Sequence, residues 1–144
     1  MEVIGLAMVA SASIVNEEED PDTALYYSKL REAILMTITL IFSSISAENG
    51  RANDFKPYVD PIFEYIYKII RPEYSPSLEL IKSCLGLIAD FGSAYGIAIK
   101  PKLDKPSIEF MFHTIESNKL FFEESENIVG LLDFARRIIT DVMR

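Results

Sequence analysis

One stretch of this chain is written twice. Lys56-Pro57-Tyr58-Val59-Asp60-Pro61-Ile62-Phe63 returns as Lys105-Pro106-Ser107-Ile108-Glu109-Phe110-Met111-Phe112, with Lys-Pro, Val or Ile, an acid, Ile or Met, and Phe at the same offsets. Ile66 and Ile115 extend the match. Downstream, Gly86-Leu87-Ile88-Ala89-Asp90-Phe91 has a shorter echo in Gly130-Leu131-Leu132-Asp133-Phe134. Two unlike segments, each echoed in the same order, describe a helix-pair unit of about 45–50 residues, close to the HEAT length. Such a unit cannot bury its own apolar stripe, so stacked neighbours must supply the core.

Apolar residues recur at helical spacing in six segments. The first runs from Met1 to about Val15 and ends in an acidic run with Pro21. Thr23 is the expected cap of the second, whose stripe is Leu30, Ile34, Ile38, Ile41 and Ile45. Asn49-Gly50 marks a turn. The third spans about Asp54 to Ile70, with Pro57 and Pro61 near its start, where a missing N–H costs least. The fourth covers Ser77 to Tyr95, with Leu78, Ile81, Leu85, Ile88 and Phe91 inward and Gly96 as its stop. A linker with Pro101 leads to the fifth, Lys105 to about Ser117. The sixth covers about Glu123 to Met143. The predicted fold is all-α, a solenoid of about three antiparallel HEAT-like pairs in one array, with units near 1–50, 51–98 and 99–144.

Composition agrees. Apolar residues make up 49% of the 144, enough for a sizeable core, and only six glycines interrupt the pattern. The formal charge of −8 argues against nonspecific nucleic-acid binding, which needs clustered Lys and Arg. Glu17, Glu18, Glu19, Asp20 and Asp22 concentrate part of that charge in one stretch, read as a solvated loop. Cys84, the single cysteine, reads as a small core residue in a reducing compartment. The apolar stretch from Ala33 to Ile45 is too short to span a bilayer. Met1 to Val15 has Glu2 where a signal peptide needs a basic start, so no membrane or export role is expected.

Catalysis finds little support. His113, the one histidine, has no partner placed by spacing, and one His with one Cys makes no metal set. No phosphate loop and no nucleophile elbow is present. The chain is expected to be no enzyme and to need no cofactor.

At this point a resemblance can be stated. GLIADFGSAYG (86–96) resembles a late B helix of the importin-β, or karyopherin-β, family of nuclear transport receptors. REAILMTITLIFSSI (31–45) is similar to the preceding B helix, and KPYVDPIFEYIYKII (56–70) to the A helix between them. FFEESENIVGLLDFARRIITDVMR (121–144) is similar to the family's terminal helix. The resemblance implies the carboxyl-terminal HEAT repeats of a longer receptor, with Met1 beginning part-way through an A helix. It implies shuttling between cytoplasm and nucleus at the nuclear envelope. Its implied partners are the importin-α adaptor arm or basic cargo, with FG-nucleoporins and the Ran GTPase meeting the full-length receptor. FG-nucleoporin Phe side chains enter pockets between A helices in related receptors, although Phe63, Tyr65, Tyr67, Phe110, Phe112, Phe121 and Phe122 read first as core. Where the family usually carries a Trp before Ala-Arg, this chain has Phe134 before Ala135 and Arg136. Phe gives a weaker cation–π contact than Trp.

Binding has a physical basis in the residues themselves. Glu79, Ser83, Gly86 and Asp90 fall three or four apart, opposite the apolar stripe. Glu126, Gly130, Asp133 and Arg137 repeat the arrangement on the sixth helix, and Lys29, Glu32 and Thr39 offer a weaker version on the second. The expected concave protein-binding face is therefore Glu32, Glu79, Ser83, Gly86, Asp90, Glu126, Asp133 and Phe134. Carboxylates at that spacing suit Arg and Lys on a partner helix. Lys82 and Arg137 dilute the acidity. The alternatives are a HEAT scaffold unrelated to transport and a small helical enzyme or carrier.

Overall fold

The computed structural model describes Gly5, Met8 and residues 21–48, 51–72, 75–118 and 128–144. The expected first helix and the start of the sixth lie outside the described residues, apart from Gly5 and Met8, which are helical, Met8 being buried. The described elements are helix α1 (Pro21–Ser46), short α2 (Ala52–Phe55), a 3-10 turn (Lys56–Tyr58), α3 (Val59–Ile69), α4 (Leu78–Tyr95), a second 3-10 stretch (Gly96–Lys102), α5 (Lys105–Ser117) and α6 (Ile128–Met143).

Three of these helices run parallel in one layer. At the start of α4, Ser77 meets Glu32 of α1, and further along the Phe91 ring lies 5.0 Å from the Phe42 ring. On the other flank of α4, Gly86 faces Leu131 and Gly92 faces Ile138, so α6 ascends alongside. The partner layer runs the opposite way. Ala52 accepts a hydrogen bond from the Tyr95 hydroxyl and Phe63 lies 5.7 Å from Phe91, which sets α3 antiparallel to α4. Lys100 sits beside Arg144, and Phe112 beside Arg136, which sets α5 antiparallel to α6. This is an all-α solenoid of helix pairs.

The repeat seen in sequence is a repeat of burial. Val59 and Ile108, Ile62 and Met111, Phe63 and Phe112, and Ile66 and Ile115 are all core residues. Both Lys-Pro pairs stand where helix begins, the first in the 3-10 turn before α3 and the second on the first turn of α5. Asp104 caps α5 by accepting from the Ser107 N–H at 3.3 Å.

Three boundaries differ from expectation. Thr23 lies within α1 and does not cap it, because helix already holds at Pro21, whose fixed φ suits a first turn. Pro57 tightens the approach to α3 into a 3-10 turn, and the helix regularises beyond it. The linker with Pro101 is 3-10 and seats Ile99 in the core. Gly96 ends α4 as expected, with φ of 57°, which a side chain would strain.

Because α4 has neighbours on nearly every side, it is apolar well beyond one stripe. Leu80, Cys84, Leu87, Ala89 and Gly92 are buried along with the predicted Ile81, Leu85, Ile88 and Phe91. With the turn that follows, Leu78–Lys102 is long and apolar enough to pass for a membrane span, yet half of its 18-residue apolar window is buried inside the protein. Its hydrophobicity is that of a central solenoid helix.

Candidate protein-binding face

Ser77 launches α4: its hydroxyl oxygen accepts from the Leu80 N–H at 3.1 Å and its proton goes to Glu32 at 2.7 Å. From there, residues three and four apart return to the least covered side of α4, between its contacts with α1 and α6. Glu79, Ser83, Gly86 and Asp90 lie on that side and are all partly exposed, as is Lys82, and Ser93 continues the row as an exposed residue. Glu79 pairs loosely with Lys82 at 3.8 Å.

Asp90 is different in character. It lines an open groove of about 380 Å³ between α1 and α4, with Phe42, Ser43, Ser46, Ala47, Ser93 and Ala94. No cation stands against it among the described residues, and partial burial raises its carboxyl pKa above the ordinary range. A partly desolvated carboxylate in an open groove favours a cation brought by another molecule.

The other predicted residues are distributed unequally. Glu32 reaches α4, but its carboxylate is already engaged by Ser77 and by Lys29 at 3.3 Å. Glu126 lies outside the described residues. Asp133 departs from the row. The echo on α6 is one residue shorter, so Asp133 stands three residues after Gly130, whereas Asp90 stands four after Gly86. At about 100° per residue, Asp133 points nearly opposite to Leu131, the residue that meets α4. Phe134 takes the place that corresponds to Asp90. It is half-buried, and the Arg137 guanidinium sits 5.8 Å from its ring centre.

Packing makes different demands at Gly86 and Gly92. An added Cβ at Gly86 would meet only Leu131, at an ordinary 3.8 Å, so packing does not demand glycine there. At Gly92 the same atom would come within 2.5 Å of Ile138, so this glycine is what lets α6 close on α4.

Sequence reasoning also missed an apolar edge on α1. Leu25 and Met36 are 58% and 63% exposed. The core stripe of α1 was legible, and the signal for these two was their surplus: apolar side chains off that stripe, on a helix already supplied with core residues. Away from this face, Phe63, Tyr65 and Phe112 are core, Tyr67 and Phe110 are half-buried, and Phe121 and Phe122 lie outside the described residues.

Stacked antiparallel pairs with one uncovered polar row define a helical-repeat protein. The family model described as "Importin subunit beta-1-like, TPR repeats" matches residues 1–115, and the chain belongs to that family. TPR and HEAT units are both helix pairs, and the 49 positions between Lys56 and Lys105 exceed the roughly 34 of a TPR unit. No curated protein matches the chain. No solved structure matches it either.

Proposed function

We propose that this chain serves as the carboxyl-terminal protein-binding repeats of an importin-β-like import receptor. Its uncovered α4 row grips a basic segment, such as the importin-β-binding arm of importin-α or a basic cargo. The observation that carries this reading is Asp90, a half-buried carboxylate facing an open groove with no cation against it among the described residues. Gly86 supports it, since bare backbone on the row lets a partner approach where the fold itself does not need glycine.

The work is reversible association with no covalent chemistry and no cofactor. His113 lies exposed on α5, away from the groove. Shuttling between cytoplasm and nucleus, and encounters with FG-nucleoporins and Ran, belong to the proposed role of the whole receptor.

The test is a titration of a fluorescent importin-β-binding peptide into the chain, followed by anisotropy. Binding should weaken with added salt, because exposed charges are screened beyond about 10 Å at 0.1 M. The double reversal Glu79→Lys with Asp90→Lys should abolish it while the helical circular dichroism persists. Unchanged affinity in the double variant would place the interaction elsewhere.

A further inference from the structure

The connection between α3 and α4 carries a chemistry that the binding face does not use. Ser75-Pro76 is the only Ser-Pro or Thr-Pro dipeptide in the chain. Ser75 is exposed, and so are Arg71 and Pro72 before it. Ser75 is also the one non-glycine residue with positive φ among the described residues, at 46°. A side chain is disfavoured in that region, and the proline that follows adds to the disfavour, because a residue before proline prefers extended backbone.

What holds Ser75 in this shape is slight. Its N–H donates to the Pro72 carbonyl at 3.2 Å, a turn bond between exposed residues that water replaces at little net cost. The anchors on either side are firm. Ile70 is buried, with its N–H bonded to the Ile66 carbonyl at 2.9 Å, and Ser77 is fixed by the α4 cap and by Glu32. Ser75 can therefore be drawn into extended backbone while α3 and α4 stay in place, and the change relieves an unfavourable φ.

We propose that Ser75 is a phosphorylation site for a proline-directed serine/threonine kinase. Such an active site takes an extended segment and prefers, just after the acceptor, a residue with no N–H to satisfy, which Pro76 supplies. The Ser75 Oγ attacks the γ-phosphorus of ATP, the bond to the bridging oxygen of ADP breaks, and the hydroxyl proton passes to the catalytic Asp of the kinase. The product carries about −1.5 to −2 charge at pH 7, placed two residues before Ser77 and four before Glu79. The phosphate thus lengthens the acidic row at its head and strengthens its hold on a cationic partner. That consequence rests on the reading of α4 as the dock for a basic segment, whereas the modification itself does not.

The folded chain, incubated with a purified mitogen-activated protein kinase, ATP and Mg²⁺, tests both parts. Intact mass should show a single added phosphoryl group, lost in Ser75→Ala and gained more slowly in Pro76→Ala. Both variants should keep the circular dichroism of the parent, because the acceptor lies outside the helices. The phosphorylated chain should bind a fluorescent importin-β-binding peptide about two- to fivefold more tightly at low salt, with the gain shrinking as salt rises. Absence of label, label that persists in Ser75→Ala, or label that appears only in urea overturns the site and leaves basic docking intact. Label at Ser75 with unchanged or weaker peptide affinity overturns the reinforcement. Label at Ser75 with no peptide bound by either form upholds the site and removes the docking reading instead.

Discussion

The Ser77 hydroxyl donates to the Glu32 carboxylate at 2.7 Å while its oxygen caps α4, so one side chain starts a helix and ties it to the neighbouring repeat. Ser77→Ala should cost about 1–2 kcal/mol in urea unfolding, through the lost cap and the lost charged hydrogen bond. Glu32→Ala should cost less, because the cap survives. A Ser77 variant as stable as the parent would show that the tie contributes nothing.

Gly92 and Gly86 should respond in opposite directions to the same substitution. Alanine at position 92 drives its methyl group into Ile138 and should destabilise by about 1–3 kcal/mol despite better helix propensity. Alanine at position 86 meets only Leu131 and should stabilise by up to about 1 kcal/mol. Thermal melts of the two variants side by side check the sign of each.

Asp90 makes stability depend on pH in a specific direction. Burial holds its carboxyl pKa above the ordinary 3.8, so the folded chain takes up this proton more readily than the unfolded one. Its ionisation opposes folding at neutral pH, and the opposition fades as pH falls through the raised value and ends below the ordinary one. Asp90→Asn should therefore melt higher than the parent at pH 7, with the gap closing by about pH 4. A seated cation reverses the preference, so a basic ligand should bind less well as pH falls over the same range.

Tyr67 fastens α3 to the chain leading into α5. Its hydroxyl donates to the Lys102 carbonyl at 2.8 Å and accepts from the Asp104 N–H at 3.1 Å. Burial, with smaller contributions from its surroundings, pushes its pKa up to about 12, so this site should stay mostly protonated in an absorbance titration to pH 11. Tyr67→Phe should cost about 1–2 kcal/mol.

Cys84 is fully enclosed on α4, and burial raises its thiol far above the usual range. Ellman's reagent should react with it only on unfolding, at the rate of unfolding itself. Rapid labelling of the folded chain would contradict its placement in the core.

The helix pairs were legible because periodicity and the doubled Lys-Pro segment report burial, and burial is what the solenoid repeats. The row from Glu79 to Asp90 was legible for the same reason, since 3.6-residue spacing is a property of one helix. What one helix cannot report is how neighbours meet. The role of Gly92 depends on Ile138 of another repeat, and the engagement of Glu32 depends on Ser77. Asp133 was misplaced because a residue missing from the echo turns everything after it by about 100°, and composition matching does not count turns. The 3-10 linker escaped notice because proline punctuates a chain without saying how tightly it coils.

Asp90 and Gly92 stand two positions apart on the same rod, one opening onto α1 and the other shut against α6. A side chain added at the second position has nowhere to go, whereas the first has room beside it, so the two flanks of one helix tolerate change very differently.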